Sequence, residues 1–221
     1  MMRDAMRYMR AKEPDAKLIN NIKSGFEHLN NIMRARKIYG VFNIVRSKNY
    51  LSIANINLNS LNLNNLLINS QDCCLMAVTL GHETDREILI AQNRSMADGL
   101  ILDACASVMA DVICDNLELE IIDNLNKNFC GGLERESNNN LNLKLTPRFS
   151  PGYGDVPLDM SQEIIEVLNA DKYIGLSMTR SGMMSPVKSI TAFAGVINNN
   201  LNFNFNKCKA CNNNQNCVYK L

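Results

Sequence analysis

Tryptophan is absent from the chain, and its six tyrosines and seven phenylalanines are scattered rather than clustered. That removes the stacking surface a single-stranded RNA binder needs. An excess of charge of one sign is missing too: the formal net charge is +1, so no global field draws in nucleic acid or an anionic membrane. No run reaches the roughly 20 apolar residues of a membrane span. The longest approach, Leu100–Cys114, is interrupted by Asp103 and Asp111. Residues 1–17 carry charges throughout with no apolar core, unlike a secretory signal, and the expected address is the cytoplasm. No glycine-rich loop after a first strand marks a nucleotide-binding βαβ unit, and no repeat at solenoid spacing occurs. The two histidines, His28 and His82, are isolated, and no nucleophile–base pair stands out.

What is present starts with cysteine. Eight cysteines in a chain with a cytoplasmic address read as thiols or metal ligands, not as a disulfide scaffold. Cys73, Cys74, Cys105, Cys114 and Cys130 are dispersed and behave as small buried hydrophobes. Asparagine is abundant in NINLNSLNLNNLLINS (55–70), ESNNNLNLKL (136–145) and NNNLNFNFN (198–206), where it alternates with Leu, Ile or Phe. Period two predicts half-buried strands with Asn on the wet face, although Asn has poor strand propensity.

The rest of the chain divides into recognisable elements. Pro14 and Asp15 open a helix over 14–37, with Leu18, Ile22, Phe26, Leu29 and Met33 at steps of three or four. YGVFNIV (39–45), CLMAVTLG (74–81) and SITAFAGV (189–196) predict strands. A helix follows Gly81, with Thr84 as its cap and Glu87 completing a capping box. Residues 95–116 form a second long helix, along which Asp103, Ser107, Asp111 and Asp115 make a polar ridge at steps of four. Asp159 and Gln162 cap a helix whose apolar face is Ile164, Ile165 and Leu168. Helices and alternating strands without a repeated βαβ unit give an α+β class, with a mixed or antiparallel sheet and flanking helices. Residues 1–197 form the main domain, and 198–221 an Asn-rich and Cys-rich appendage.

RFSPGYGD (148–155) is the segment richest in chemistry. Pro151-Gly152-Tyr153-Gly154 forces a turn whose glycines allow positive φ and close backbone approach. Arg148 brings a planar charged fork suited to a carboxylate or phosphate, and Tyr153 a flat ring with a polar tip. The same residues also fit an ordinary turn with Arg148 in a surface ion pair. About thirty residues on, Ser181, Met184, Pro186 and Ser189 mark a second turn between strands.

Arg148, Gly152 and Tyr153, then a helix, then Gly175, Thr179, Ser181, Met184, Pro186 and Ser189 form an ordered pattern. It resembles the activation (reactivation) domain of cobalamin-dependent methionine synthase. RYMRAKEPDAKLINNI (7–22), VTLGHETDREI (78–88) and SMADGLILDACAS (95–107) are similar to short stand-alone relatives of that domain. The resemblance covers most of the chain outside the Asn-rich stretches.

It implies binding of S-adenosylmethionine, whose methyl group is presented to cobalamin held by a partner methionine synthase protein. It implies that Arg148 holds the methionine carboxylate, while Tyr153 and the backbone around Phe149 and Gly152 contact the rest. Acidic side chains face the ligand's amino group and ribose in that family, and Asp103 and Asp111 are the candidates here. The chain departs from the family after Tyr153: Gly154-Asp155-Val156-Pro157-Leu158 stands where the long enzymes carry a Cys-Pro segment.

On this resemblance the chain is an accessory subunit of a methyltransferase in methionine biosynthesis, supporting reductive methylation and reactivation of the cobalamin. A flavodoxin- or ferredoxin-type reductant would supply electrons. The alternative is a corrinoid-protein interaction or electron-transfer module that uses its C-terminal cysteines. Cys208, Cys211 and Cys217 have the close spacing that zinc or an iron–sulfur cluster uses, with Cys130, Cys73 or Cys74 as a fourth ligand. Redox-active thiols, or a tail that binds nothing, fit the same spacing.

Overall fold

A computed structural model describes residues 1–11, 13–47, 50–129, 142–198 and 215. The elements run α1 (Met2–Tyr8), α2 (Ala16–Ile32), β1 (Arg36–Arg46), β2 (Leu51–Ile53), β3 (Ile56–Leu58), α3 (Leu61–Leu67) and β4 (Asp72–Thr79). They continue with α4 (His82–Arg94), α5 (Met96–Phe129), β5 (Leu143–Leu145), α6 (Met160–Leu168), α7 (Ala170–Ile174), β6 (Ser177–Met178), β7 (Met184–Ser185) and β8 (Ser189–Asn198). The expected α+β class is found. One sheet has six strands in the order β3-β2-β1-β4-β8-β5, and β6 and β7 form a separate pair. The pairs β1–β2, β2–β3, β5–β8 and β6–β7 are antiparallel. No helix among the described residues is long and apolar enough to cross a membrane.

The chain forms two compact units. The first comprises Met1–Ile38, Ala77–Cys114 and Asn169–Ile190. Its core joins Ile22 and Leu29 of α2 to Leu80, Ile88 of α4, and Ile101, Leu102, Cys105 and Met109 of α5. Asp15 caps α2 by accepting from Leu18 N at 2.7 Å, as Pro14-Asp15 suggested, but the helix stops at Ile32 because β1 begins at Arg36. Between α4 and α5 the backbones approach closely: a Cβ on Gly99 would lie 2.3 Å from Gln92 Cγ and 2.8 Å from its Cα.

The second unit comprises Tyr39–Met76, Asp115–Leu168 and Thr191–Leu221. Strands β4 and β8 are buried along nearly their whole length, as strands covered on both faces are. Fully buried Phe193 lies in β8, and α6 buries Ile164, Ile165 and Leu168, the apolar face expected of it. Cys73, Cys74, Cys105 and Cys114 are buried; Cys130 lies outside the described residues.

Three expectations need correction. Residues 55–70 are strand only at β3; beyond it they turn into α3. Ser60, in extended conformation, caps that helix by accepting from Leu63 N at 3.0 Å, and Leu63, Leu66 and Leu67 are buried at helical spacing. The Leu-Asn alternation there disguised a three-four pattern. Thr84 is not a cap. Gly81, at φ +88°, precedes α4, and Thr84 is buried inside it, donating to Leu80 O at 3.3 Å. The helix expected to end at 116 continues to Phe129, since Leu117 and Ile121 keep an apolar face buried. Of the second and third Asn-rich stretches, β5 and the end of β8 are described, and the remainder lies outside the described residues.

Candidate functional site

In the second unit, residues 148–156 build a compact turn at the edge of β8. Phe149 forms an isolated antiparallel bridge with Phe193: Phe149 N donates to Phe193 O at 2.8 Å, and Phe193 N to Phe149 O at 2.9 Å. The chain then folds back on itself. Tyr153 N donates to Ser150 O at 3.3 Å, Gly152 N to Val156 O at 2.9 Å and Val156 N to Tyr153 O at 3.1 Å. Gly152 (φ +88°) and Gly154 (φ +57°) occupy the left-handed region that side chains with a Cβ rarely adopt. Phe149 is buried, whereas Tyr153 is 61% exposed.

Arg148 stands at the entrance of the turn, its side chain 15% exposed. Its Nη1 donates to Asp115 Oδ1 and, at 2.8 Å, to Glu118 Oε1, both on α5. Arg148 is therefore ion-paired, as the alternative reading of this segment has it. Asp115 is the more exposed of the two partners, at 62% against 23% for Glu118.

Asp155, at the departure from the family pattern, proves to be a helix cap. Its carboxylate accepts from Ser60 Oγ at 2.5 Å, Leu61 N at 2.6 Å, Asn62 N at 3.3 Å and Asn62 Nδ2 at 2.9 Å. Partial burial raises its pKa, but these hydrogen bonds to the ionised form outweigh that, and the net shift is downward.

Asp103 and Asp111 belong to the first unit and have partners there. Lys188 Nζ sits 2.9 Å from Asp103 Oδ1 and donates to Ser107 Oγ at 2.9 Å. Tyr8 OH donates to Asp111 Oδ2 at 2.8 Å. The expected polar ridge of α5 is thus engaged. The second turn is also formed. Thr179 N donates to Met183 O at 2.8 Å, Gly182 N to Thr179 O at 3.0 Å, and the Thr179 and Ser181 hydroxyls lie 2.9 Å apart. After the cis Ser185–Pro186 bond, Asp85 accepts from Val187 N at 2.6 Å and Lys188 N at 3.2 Å, and Ser189 Oγ donates to Pro186 O at 2.8 Å. Sequence reasoning passed over Asp85, Glu118 and Lys188. No local pattern marks them, because each acts on residues some 30 to 103 positions away.

Cys208, Cys211 and Cys217 lie outside the described residues. Among the described residues no group of three or more His, Cys, Asp or Glu is placed to hold a metal ion. Cys73 is a poor fourth ligand, since burial foremost, and then neighbouring Cys74, push its thiol far above the ordinary range and oppose the thiolate a metal requires.

Compared with known proteins, the chain matches no family model and no curated protein. Among solved structures it is similar to the crystal structure of the MetH reactivation domain bound to AdoHcy. The TM-score is 0.59 over 90% of this chain and 76% of that one, at 15% sequence identity. The fold is shared.

Proposed function

We propose that the chain is an S-adenosylmethionine-binding subunit that supports reductive methylation and reactivation of the cobalamin of methionine synthase. The observation that carries this reading is the 148–156 turn: a charged fork, two left-handed glycines and an exposed tyrosine, hung on β8 by the Phe149–Phe193 bridge. Two things support it. The similar solved domain is bound to AdoHcy, which is S-adenosylmethionine without its methyl group. The spacing from Arg148 to Ser189 follows that of the same family.

In this reading Arg148 pairs with the methionine carboxylate, which replaces Asp115 on Nη1. Phe149 N and Gly152 N already donate to Phe193 O and Val156 O. The backbone of these residues is therefore assigned to the ligand through its carbonyls, each able to accept a second hydrogen bond, and the Tyr153 ring covers an apolar part of the ligand. The protein's contribution is placement, since holding a methyl donor in line with its acceptor removes the entropy of encounter from the barrier. Cobalamin held by a partner methionine synthase protein would supply the methyl acceptor, and a flavodoxin- or ferredoxin-type reductant would supply the electron.

Titration calorimetry with S-adenosylmethionine tests the reading. Wild type binds, and Arg148→Ala loses most of the affinity. Heat absent from wild type, with or without a cobalamin-loaded methionine synthase protein, removes the proposal in favour of a corrinoid-interaction module without methyl-donor use.

A further inference from the structure

We infer that Asp155 is a positioning residue for the ligand turn: it fastens the exit of the Gly152–Tyr153–Gly154 segment to α3 and so fixes where Tyr153 stands. The inference rests on the proposed ligand role of that turn.

The turn has two ends and very different attachments at each. Its entrance is clamped to the sheet by the reciprocal Phe149–Phe193 hydrogen bonds and by burial of both phenylalanines. Its middle contains two glycines at positive φ, the residues with most backbone freedom to lose on ordering. Past Gly154 no strand or helix begins until Met160. Internal hydrogen bonds shape the loop, and its exit is held by the buried side chain of Val156 and by the Asp155 carboxylate beside it. That carboxylate takes four hydrogen bonds from Ser60, Leu61 and Asn62.

Helix α3 is a firm point to tie to. Leu63, Leu66 and Leu67 are fully buried, and its far end is held as well: Arg46 Nη2 donates to Leu67 O and Ser70 O, each at 2.7 Å. A seven-residue helix thus has an anion at its N-terminus and a cation at its C-terminus, each complementing the exposed backbone groups there. Both Asp155 oxygens are engaged by this cap, and the role inferred for the residue is exerted through Tyr153 and not by contact with the ligand. Asparagine at 155 would keep one acceptor and turn an amide donor towards donors that now meet an oxygen, loosening the exit while leaving the entrance clamp intact.

The test uses the full chain labelled with 3-fluorotyrosine, the Tyr153 resonance being assigned by Tyr153→Phe, together with calorimetry. Wild type is expected to give one narrow Tyr153 fluorine resonance that moves on adding S-adenosylmethionine. Asp155→Asn broadens or splits that resonance and weakens binding by roughly tenfold. Asn62→Ala removes one donor without altering the turn, and is expected to shift both readouts the same way by less. A narrow, unmoved Tyr153 resonance with unchanged affinity in folded Asp155→Asn overturns the inference. If wild type binds no S-adenosylmethionine, the proposed function fails, and the fluorine line shape alone then decides whether Asp155 orders the turn.

Discussion

At the scale of single residues, the chemistry turns on which partner holds each charge. Arg148 is shared between Asp115 and Glu118, and Asp115 is the exposed member. An ion pair with one exposed partner is worth on the order of 1 kcal/mol, so removing Asp115 leaves a ligand carboxylate one competitor fewer on Nη1, with Glu118 still in place, at little cost to folding. Asp115→Ala is therefore expected to tighten S-adenosylmethionine binding by roughly two- to fivefold. Calorimetry beside wild type checks this, and weaker binding would show that Asp115 helps the site and does not compete with it. Glu163 poses the opposite problem. Burial first, then the negative charges of Asp159 and Glu166, raise its pKa above the ordinary value. A carboxyl whose folded pKa is raised opposes folding where it is ionised, above that folded value, and is neutral to stability below its unfolded value. Glu163→Gln should raise the midpoint of thermal unfolding at pH 7 and leave it unchanged near pH 3. A variant equally stabilised at both pH values would point to packing instead of charge. Asp155, whose pKa is lowered, has the reverse sign: its contribution is present above its unfolded value and fades as pH falls through the folded one.

Elements meet where small residues let them. Gly195 in β8 faces Ser70 so closely that a Cβ would stand 2.1 Å from Ser70 Oγ and 3.0 Å from Leu67 Cδ2. Ser70 Oγ is buried and has no hydrogen-bond partner among the described residues. Gly195→Ala should cost about 1–3 kcal/mol by overpacking. Ser70→Ala, which deletes an unsatisfied buried oxygen, should be neutral or stabilising. The double variant should recover part of the loss, because only the closest of the contacts is relieved. Urea denaturation of the three variants measures this, and an unaffected Gly195→Ala would mean that α3 and β8 can separate without loss. The same neighbourhood carries the Phe149–Phe193 bridge, so the turn inherits its placement from how tightly β8 packs.

For the whole molecule, the boundary proposed at 197/198 makes a direct prediction. The last described pair of the β5–β8 ladder is Leu143 with Asn198. A chain ending at Asn198 should unfold cooperatively and keep its S-adenosylmethionine affinity, as circular dichroism and calorimetry would show; loss of either makes the tail part of the domain. Metal analysis and visible absorption of the anaerobically purified full chain address Cys208, Cys211 and Cys217 separately. Zinc or iron–sulfur chromophore present in the full chain and lost on truncation is the expected result if they are ligands. A colourless, metal-free protein with an intact tail removes the metal proposal.

Local pattern alone settled the α+β class, the apolar faces of α2 and α6, the buried strands β4 and β8, and the turn at Pro151–Gly154. Each is written in the spacing of a few neighbouring residues, where periodicity, caps and glycine conformations act. Spacing misled at 61–67, where Leu-Asn alternation hid a helix, because Ser60 and the Asp155 carboxylate decide the backbone there and Asp155 lies 95 residues from Ser60. It misled again at Thr84, whose hydroxyl had a carbonyl within its own helix to satisfy. Only tertiary structure could show that Arg148 is already paired, that Asp103 answers Lys188, and that Asp155 ties the turn to α3. Charges and carboxylate caps take whatever donors the fold brings within about 3 Å, and that proximity is not encoded in any short stretch of sequence.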